Sequence, residues 1–508
     1  MDRSLALLSG ALLALSFPRY GHGIVAFIAL VPLFVALSGW HGRPGRLPGV
    51  SVRRGFQLGL LAGFVHFAGT VYWTGATVST FGGLPWVVGI AVAGLLVLYM
   101  ALFVGAACAA TAVLVRGLGG PGLLLAPAAW VAAEYARGHL FGGFPWIPLG
   151  NTMIGLLPIA QLASLVGVYG LSWYVATLNA GFALAAVSHG RPRVVAAGGA
   201  FALILAASVW GAARMGANTL VREGTPITVG LIQGNVPQDE KWDPGRAGDI
   251  VRRYMALSRD AVGGGAQLLV WPESSTPFVF DNDPAGASVV RGLVSSLGTP
   301  LLFGSDEIER GDRLTYYNSA YMLDPAGATA AVYRKMQLVP FGEYVPFKDA
   351  LFFVQPLVEA VAAFTPGTRV TMLPVDGHMM STAICYEVVY PHLIRQGVLN
   401  GAELLSTITN DAWYGHSSAP FQHFEQAAMR AVEQGRYLIR AANTGISGIV
   451  DPYGRVLART ALDDTTALVG QARFVQALTL YARIGDLAPQ LAVLLTLAGL
   501  AAASWRRA

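Results

Sequence analysis

Acidic residues are almost missing from the first part of this chain. Between Asp2 and Glu223 there is one, Glu134, and beyond about residue 475 there is one, Asp486. Over 508 residues only 12% are charged, against about 25% in ordinary soluble domains. A soluble protein of this length buries a large core without shedding so many charges. The deficit excludes a single soluble body. It points to membrane-embedded ends around an extramembrane domain of roughly 250 residues.

Lysine is scarce as well: Lys241, Lys335 and Lys348 are all there are. The two cysteines, Cys108 and Cys385, lie one in an apolar run and one in the polar stretch, which argues against a disulfide framework. The net charge of +5 comes largely from arginines at the ends of apolar runs. Topology explains those, so no nucleic-acid partner is expected. The histidines lack metal-ligand spacing and the glycines lack a phosphate loop, so no metal and no cofactor are expected. The first apolar run leads into a second and reads as retained rather than cleaved.

Eight apolar runs of spanning or near-spanning length fall at about 4–17, 23–39, 56–74, 86–115, 121–138, 160–187, 194–212 and 481–504. With the N-terminus in the cytoplasm, inside loops and ends hold ten arginines: Arg3, Arg43, Arg46, Arg53, Arg54, Arg116, Arg191, Arg193, Arg506 and Arg507. The outside loops of the first seven spans hold two, Arg19 and Arg137. That bias places both termini in the cytoplasm and the polar domain outside it. The expected domains are a seven-helix membrane part over 1–220, an extramembrane part over 221–475, and an eighth helix with its tail over 476–508.

The polar domain reads as α/β. Short β-branched runs recur at Ile227–Ile232, Leu268–Trp271, Leu301–Phe303, Ser381–Cys385, Leu404–Ile408 and Ile446–Val450. Helix-compatible stretches such as Arg246–Val262 and Phe421–Gly435 separate several of them. Asp324–Gly327 and Asp451–Gly454 read as turns joining antiparallel strands.

Three of these runs carry chemistry. Glu273 follows Trp271-Pro272, Lys335 follows Tyr333-Arg334, and Cys385 precedes Tyr386-Glu387. A thiolate is a strong nucleophile. A carboxylate on an apolar floor has its pKa raised toward that of a useful general base. A compact ammonium points three donors at a developing oxyanion, and this chain otherwise uses Arg for nearly every cation. Each residue alone also fits a bland role: a buried structural Cys, a solvated loop Glu, a surface Lys.

Together and in this order, the three motifs resemble the Glu-Lys-Cys triad of the nitrilase superfamily. Longer strings narrow the likeness. Lys335–Pro346 (KMQLVPFGEYVP), Thr409–Gly415 (TNDAWYG), Gln422-His423 and Asn443–Ser447 are similar to the bacterial apolipoprotein N-acyltransferase family, as are Phe144-Pro145-Trp146 and the Glu134–Arg137 helix. The resemblance covers essentially the whole chain. It implies a polytopic α-helical membrane domain of about eight spans plus an α/β, nitrilase-like αββα sandwich, multi-pass in the bacterial inner membrane with the catalytic domain in the periplasm. It also implies transfer of an acyl chain from a phospholipid to the N-terminal amine of a diacylglyceryl-cysteine apolipoprotein, by a monomer that needs no cofactor. Cys385 then matches the nucleophile, Glu273 the base and Lys335 the oxyanion-stabilising residue. Trp242, Glu343, Tyr386, Glu387, Asn410 and Trp413 match substrate-binding or supporting positions.

Two other readings compete: a membrane-tethered amidase-like hydrolase with the same triad, and a transporter or scaffold with a vestigial domain. Against the second, the spans carry almost no charge to line a pathway. Two features lie outside the triad. Glu134 and Arg137 stand at helical reach and read as a structural ion pair. The run 350–364 is apolar but too short to span, and reads as a lid that dips into the outer leaflet.

Overall fold

The computed structural model describes residues 1–40, 47–83, 85–311, 313–340, 342–344 and 364–506. Of the run 350–364 that the sequence suggests as a lid, 350–363 lie outside them, as do Arg43, Arg46 and Arg507. The chain divides into two compact units. The first holds Met1–Ala217, Ser417–Glu425 and Arg483–Ala508; the second holds Asn218–His416 and Gln426–Ala482.

The first unit is helical. Among the described residues, Trp86–Leu118, Ala163–Val187, Arg191–Arg222 and Leu487–Trp505 are long and apolar enough to cross a membrane. The expected count of eight spans is not confirmed. The first run forms a helix of 13 residues, Asp2–Ala14, about 20 Å at 1.5 Å per residue and short of a ~30 Å core. The second run breaks into Gly23–Val25, Ala26–Ala29 and Val31–Leu37. The fifth splits at Leu125, with Pro127 in the first turn of the helix Ala126–Arg137.

Helix Val52–Thr70 lies close on Trp86–Leu118 because Gly55, Gly59 and Gly63 face it. A Cβ at these positions would come within 2.8 Å of Cys108 O, 2.6 Å of Cys108 Cβ and 3.0 Å of Ala101 Cα. Small residues four apart are a common means of close helix packing in apolar surroundings. Glu134 and Arg137 both secure the loop that follows their helix. Glu134 Oε1 accepts from Leu149 N at 2.7 Å, and Arg137 donates to the carbonyls of Phe144 at 3.1 Å and Trp146 at 2.8 Å. In the same unit, Trp146 Nε1 donates to Gln422 Oε1 at 2.8 Å, and Gln422 Nε2 donates to Thr70 O at 3.0 Å.

Among the described residues, the second unit contains twelve strands: β1 (Thr225–Gln233), β2 (Leu268–Val270), β3 (Leu301–Arg310), β4 (Leu314–Leu323), β5 (Thr329–Arg334), β6 (Leu373–Val375), β7 (His378–Ile384), β8 (Leu404–Thr409), β9 (Leu438–Ala442), β10 (Gly448–Val450), β11 (Val456–Arg459) and β12 (Thr466–Phe474). They form two six-stranded sheets, ordered β12-β1-β2-β3-β4-β5 and β11-β10-β9-β8-β7-β6. In each sheet three consecutive strands are parallel: β1-β2-β3 and β7-β8-β9. Each parallel step crosses through a helix, Ala247–Gly263 and Pro284–Leu297 for the first sheet, Pro391–Leu399 and Ala419–Gln434 for the second.

The strands read as short continuous apolar runs because both faces are buried. Side chains alternate between faces with period two. Leu268 and Val270 of β2 meet Ile384, Ile408 and Ile439 of the other sheet in the central core. Leu269 and Trp271 instead join Ile250, Tyr254, Leu293 and Val294 of the covering helices. The turns expected at Asp324–Gly327 and Asp451–Gly454 close the antiparallel pairs β4-β5 and β10-β11, with Gly327 N bound to Asp324 O and Gly454 N bound to Asp451 O, each at 2.9 Å.

Candidate active site

Glu273 lies three residues beyond β2, Lys335 directly follows β5, Cys385 directly follows β7 and Asn410 directly follows β8. These are carboxyl ends of strands, where open α/β sheets expose loops without losing their ladders. The structure brings Glu273 and Lys335 into contact, with Lys335 Nζ 3.3 Å from Glu273 Oε1. The charges of both act on the Cys385 thiol. All three are buried, with Lys335 only 1% exposed.

Local geometry fixes each group. The Glu273 loop is seated on β3: Ser275 N donates to Gly304 O at 2.8 Å and Gly304 N donates to Pro272 O at 3.1 Å. Only glycine allows this approach, since a Cβ on residue 304 would stand 2.5 Å from Ser274 N. Cys385 has φ +52°, a left-handed conformation rare for a side-chain-bearing residue, at the sharp turn from β7 into a short helical turn. Such strain is held by its surroundings. Glu387 supplies the hold. Its Oε1 accepts from Tyr333 Oη at 2.8 Å, Met336 N at 2.6 Å and Gln337 N at 3.1 Å, while Oε2 accepts from Ile384 N at 2.7 Å. One carboxylate thus joins the segment after Lys335 to the residue before Cys385.

Glu343 is the second carboxylate on the lysine. Its Oε1 accepts from Lys335 Nζ at 2.7 Å and from Asn318 Nδ2 at 3.0 Å, and its Oε2 accepts from Val339 N at 2.8 Å. Asn318 Nδ2 also donates to Glu273 Oε1 at 2.8 Å. Asn410 acts through its backbone, with N–H donating to Glu273 Oε2 at 2.9 Å. Its side chain accepts from Asn443 Nδ2 at 3.0 Å. Next to it, Arg440 and Asp411 form a fully buried pair at 2.7 Å. Tyr386 is buried and its hydroxyl accepts from Tyr390 Oη at 3.2 Å. Trp242 and Trp413 are 45% and 38% exposed, so part of each aromatic surface is uncovered by the chain.

The electrostatics correct one expectation. Burial would raise the Glu273 carboxyl, but the Lys335 ammonium, the Asn318 amide, Lys241 and the Asn410 N–H outweigh it and hold it below the usual carboxylate range. Burial would lower Lys335, but Glu343 and Glu273 outweigh it and hold the ammonium above the ordinary lysine value. Burial pushes the Cys385 thiol well up, Glu273 adds to that, and Lys335 opposes it. The resting arrangement is therefore carboxylate, ammonium and neutral thiol.

Three participants escaped the sequence reading. Asn318 sits inside β4 with no motif around it. Asp306 lies at a strand position and accepts from Ser274 Oγ at 3.2 Å. Lys241 is buried, and its Nζ donates to the Glu273 carbonyl at 3.2 Å. The rarity of lysine in this chain was the available signal for it. Among the described residues no cluster of His, Cys, Asp and Glu is arranged to hold a metal.

Comparison with known proteins agrees with this division. Residues 9–181 match the apolipoprotein N-acyltransferase N-terminal domain, and residues 228–478 match the carbon-nitrogen hydrolase family. An amidase from Nesterenkonia sp. AN1 aligns at TM-score 0.39 and 22% identity, covering 52% of this chain and 98% of the amidase. An apolipoprotein N-acyltransferase of Methylococcus capsulatus is 36% identical, covering 95% of this chain and 92% of the relative. One of Geobacter metallireducens is 40% identical over 497 residues, 96% of this chain and 92% of the relative. With helical unit and two-sheet unit both matched, and in the same order, this chain belongs to the apolipoprotein N-acyltransferase family.

Proposed function

We propose that this chain moves an acyl chain from a phospholipid to the N-terminal amine of a diacylglyceryl-cysteine lipoprotein, through a thioester on Cys385. The observation that carries the reading is the buried Glu273–Lys335 pair at 3.3 Å, whose charges bear on the buried Cys385 thiol. Glu273 is the base, Lys335 the oxyanion donor and Cys385 the nucleophile.

Cys385 Sγ attacks the ester carbonyl as Glu273 takes the thiol proton. The C–S bond forms and the carbonyl oxygen becomes an oxyanion, held by Lys335 Nζ and the N–H of Tyr386. As Lys335 turns toward the oxyanion, its pull on Glu273 weakens, and the carboxylate becomes a better base when the proton moves. Collapse breaks the ester C–O bond, and Glu273 returns the proton to the departing lysophospholipid alkoxide. The lipoprotein amine then attacks the thioester and Glu273 takes its proton. The C–S bond breaks, Glu273 returns that proton to the Cys385 thiolate, and an amide is released. Thioester to amide is downhill, so no nucleotide is required. Two substrates using one site in turn give ping-pong kinetics.

The supporting groups divide the work. Glu343 steadies Lys335, Glu387 braces the Cys385 turn, Asn410 holds Glu273, and Tyr386 follows the nucleophile. Trp242 and Trp413 offer exposed aromatic surface to substrate. The membrane part spans 1–220, the catalytic domain 221–475 faces the periplasm, and 476–508 returns the chain to the cytoplasm. An outer-leaflet phospholipid is then always at hand as donor.

Intact-mass measurement after incubation with phospholipid micelles tests the scheme. An acyl adduct on Cys385, lost in Cys385→Ala and Glu273→Gln proteins that still melt cooperatively, supports it. A Cys385→Ala protein with full turnover would sink it.

A further inference from the structure

Two of the three lysines of this chain lie in one buried site. Lys335 is accounted for above; Lys241 is not. Its side chain comes from the turn region between β1 and the helix Ala247–Gly263, and it is 4% exposed. Its Nζ donates to the main-chain carbonyl of Glu273 at 3.2 Å, on the peptide that the loop packs against Gly304. The charges of Glu273, Asp306 and Cys385 all bear on it. Asp306 in turn accepts from Ser274 Oγ, so Lys241 and Asp306 grip the two successive residues of the same loop.

We propose that Lys241 is a positioning residue for the base: it anchors the Glu273 loop by its carbonyl and supplies a second buried positive charge that keeps the Glu273 carboxylate ionised. A buried ammonium is costly unless its surroundings favour the charge. Here three acidic side chains surround two lysines: Glu273, Glu343 and Asp306 face Lys335 and Lys241. With Lys335 alone, the carboxylates would outnumber the cations three to one, and one of them would hold a proton. When Lys335 swings its donors to the oxyanion, Lys241 still faces Glu273 and still orients its loop. Burial pushes Lys241 down to about 8, with Glu273, Asp306 and Cys385 pulling it back up, so it is mostly charged at neutral pH and below.

The inference rests on the thioester reading, and the test separates the two. Formation of the Cys385 acyl adduct from phosphatidylethanolamine micelles is followed by intact mass between pH 3.5 and 8 (roughly, the range over which a carboxylate base titrates). The parent protein, Lys241→Gln and Lys241→Arg are compared, with melting curves for each. Lys241→Gln keeps a donor for the carbonyl but loses the charge. Its acid limb is expected to move up by about one pH unit, with adduct formation on that limb about tenfold slower. Lys241→Arg keeps the charge and is expected to leave the limb within a few tenths of a unit of the parent. A folded Lys241→Gln protein whose limb coincides with the parent's overturns the assignment of Lys241 and leaves the thioester reading intact. A parent protein that never forms the adduct overturns both. If Lys241→Gln does not melt cooperatively, Lys241→Met carries the same expectation.

Discussion

Glu343 Oε1 stands 2.7 Å from Lys335 Nζ, nearer than the 3.3 Å from that nitrogen to Glu273 Oε1. The closer carboxylate bears no role in the proposed proton transfers, so its charge serves to balance the lysine. Glu343→Gln keeps the shape and an acceptor but removes that charge. Lys335 then leans on Glu273 alone, which makes the base weaker. Adduct formation is expected to slow on the order of tenfold to a hundredfold, while the thermal midpoint changes little. Rapid-quench intact mass with a melting curve checks both.

Lys335 itself is harder to replace. It is 1% exposed between two carboxylates. Lys335→Met leaves Glu273 and Glu343 facing each other in a buried space, and breaking a buried pair this way costs about 3–5 kcal/mol. Lys335→Arg keeps the charge but must seat a wider, planar head between the same two carboxylates. It is expected to fold with less loss than the Met variant and still to form adduct at least about a hundredfold more slowly than the parent. Denaturant titration beside adduct kinetics reads the two effects apart.

The directions of the pKa shifts set a pH profile. With Glu273 held low and the Cys385 thiol held high, the base is ready at neutral pH and the thiol is not ionised. Adduct formation is expected to show no rise through the ordinary thiol range near pH 8.5, as a free-thiolate mechanism would give. It falls only in acid, as Glu273 takes a proton. The same group has a stability consequence. A carboxyl lowered on folding stabilises the native state above its unfolded pKa, and that share is lost as pH falls through the folded value.

Asp306 has the opposite sign. Burial pushes its carboxyl up to about 6 from 3.8, with Lys241 and Ser274 opposing. The folded state therefore binds the proton more tightly, and stability declines as pH rises between these values. Two units correspond to ~3 kcal/mol; the side chain keeps some solvent contact, so a gain of about 1–2 kcal/mol is expected for Asp306→Asn at pH 7. At pH 3 the gain should vanish. Urea titrations at the two pH values decide it, and an equal gain at both would remove the electrostatic explanation.

The sequence made the three chemical groups visible because each ends an apolar run, and a polar residue at the end of a buried strand has few structural reasons to be there. It made an α/β domain visible through short apolar runs such as Leu268–Trp271, whereas the pairing of two sheets came only from the family resemblance. The proton affinity of Glu273 was not legible. The apolar floor is local in sequence, whereas the donors that lower the carboxyl come from Asn318, Lys335 and Asn410, the last of them 137 positions away. Asn318 was hidden for the same reason, being one polar residue on a strand of mixed character. The number of crossing helices was not legible, because apolar length alone does not reveal where Pro127 or the short turns after Gly23 interrupt a helix.

Gly304 provides a test of positioning that touches no charge. A methyl there would meet Ser274 N at 2.5 Å and Glu273 Cα at 2.6 Å. Both are backbone atoms and neither yields by rotating a side chain. Gly304→Ala must therefore push the Glu273 loop off β3, lengthening the hydrogen bonds that Ser275 and Gly304 exchange with it. Displacing a base by about 1 Å costs on the order of a hundredfold in rate. The strain itself costs about 1–3 kcal/mol. Adduct formation in Gly304→Ala should thus fall far more than its modest loss of stability would explain. The acid limb should stay where Lys241 and Lys335 set it, because their charges remain. A Gly304→Ala protein that acylates at the parent rate would show that the loop does not depend on this contact.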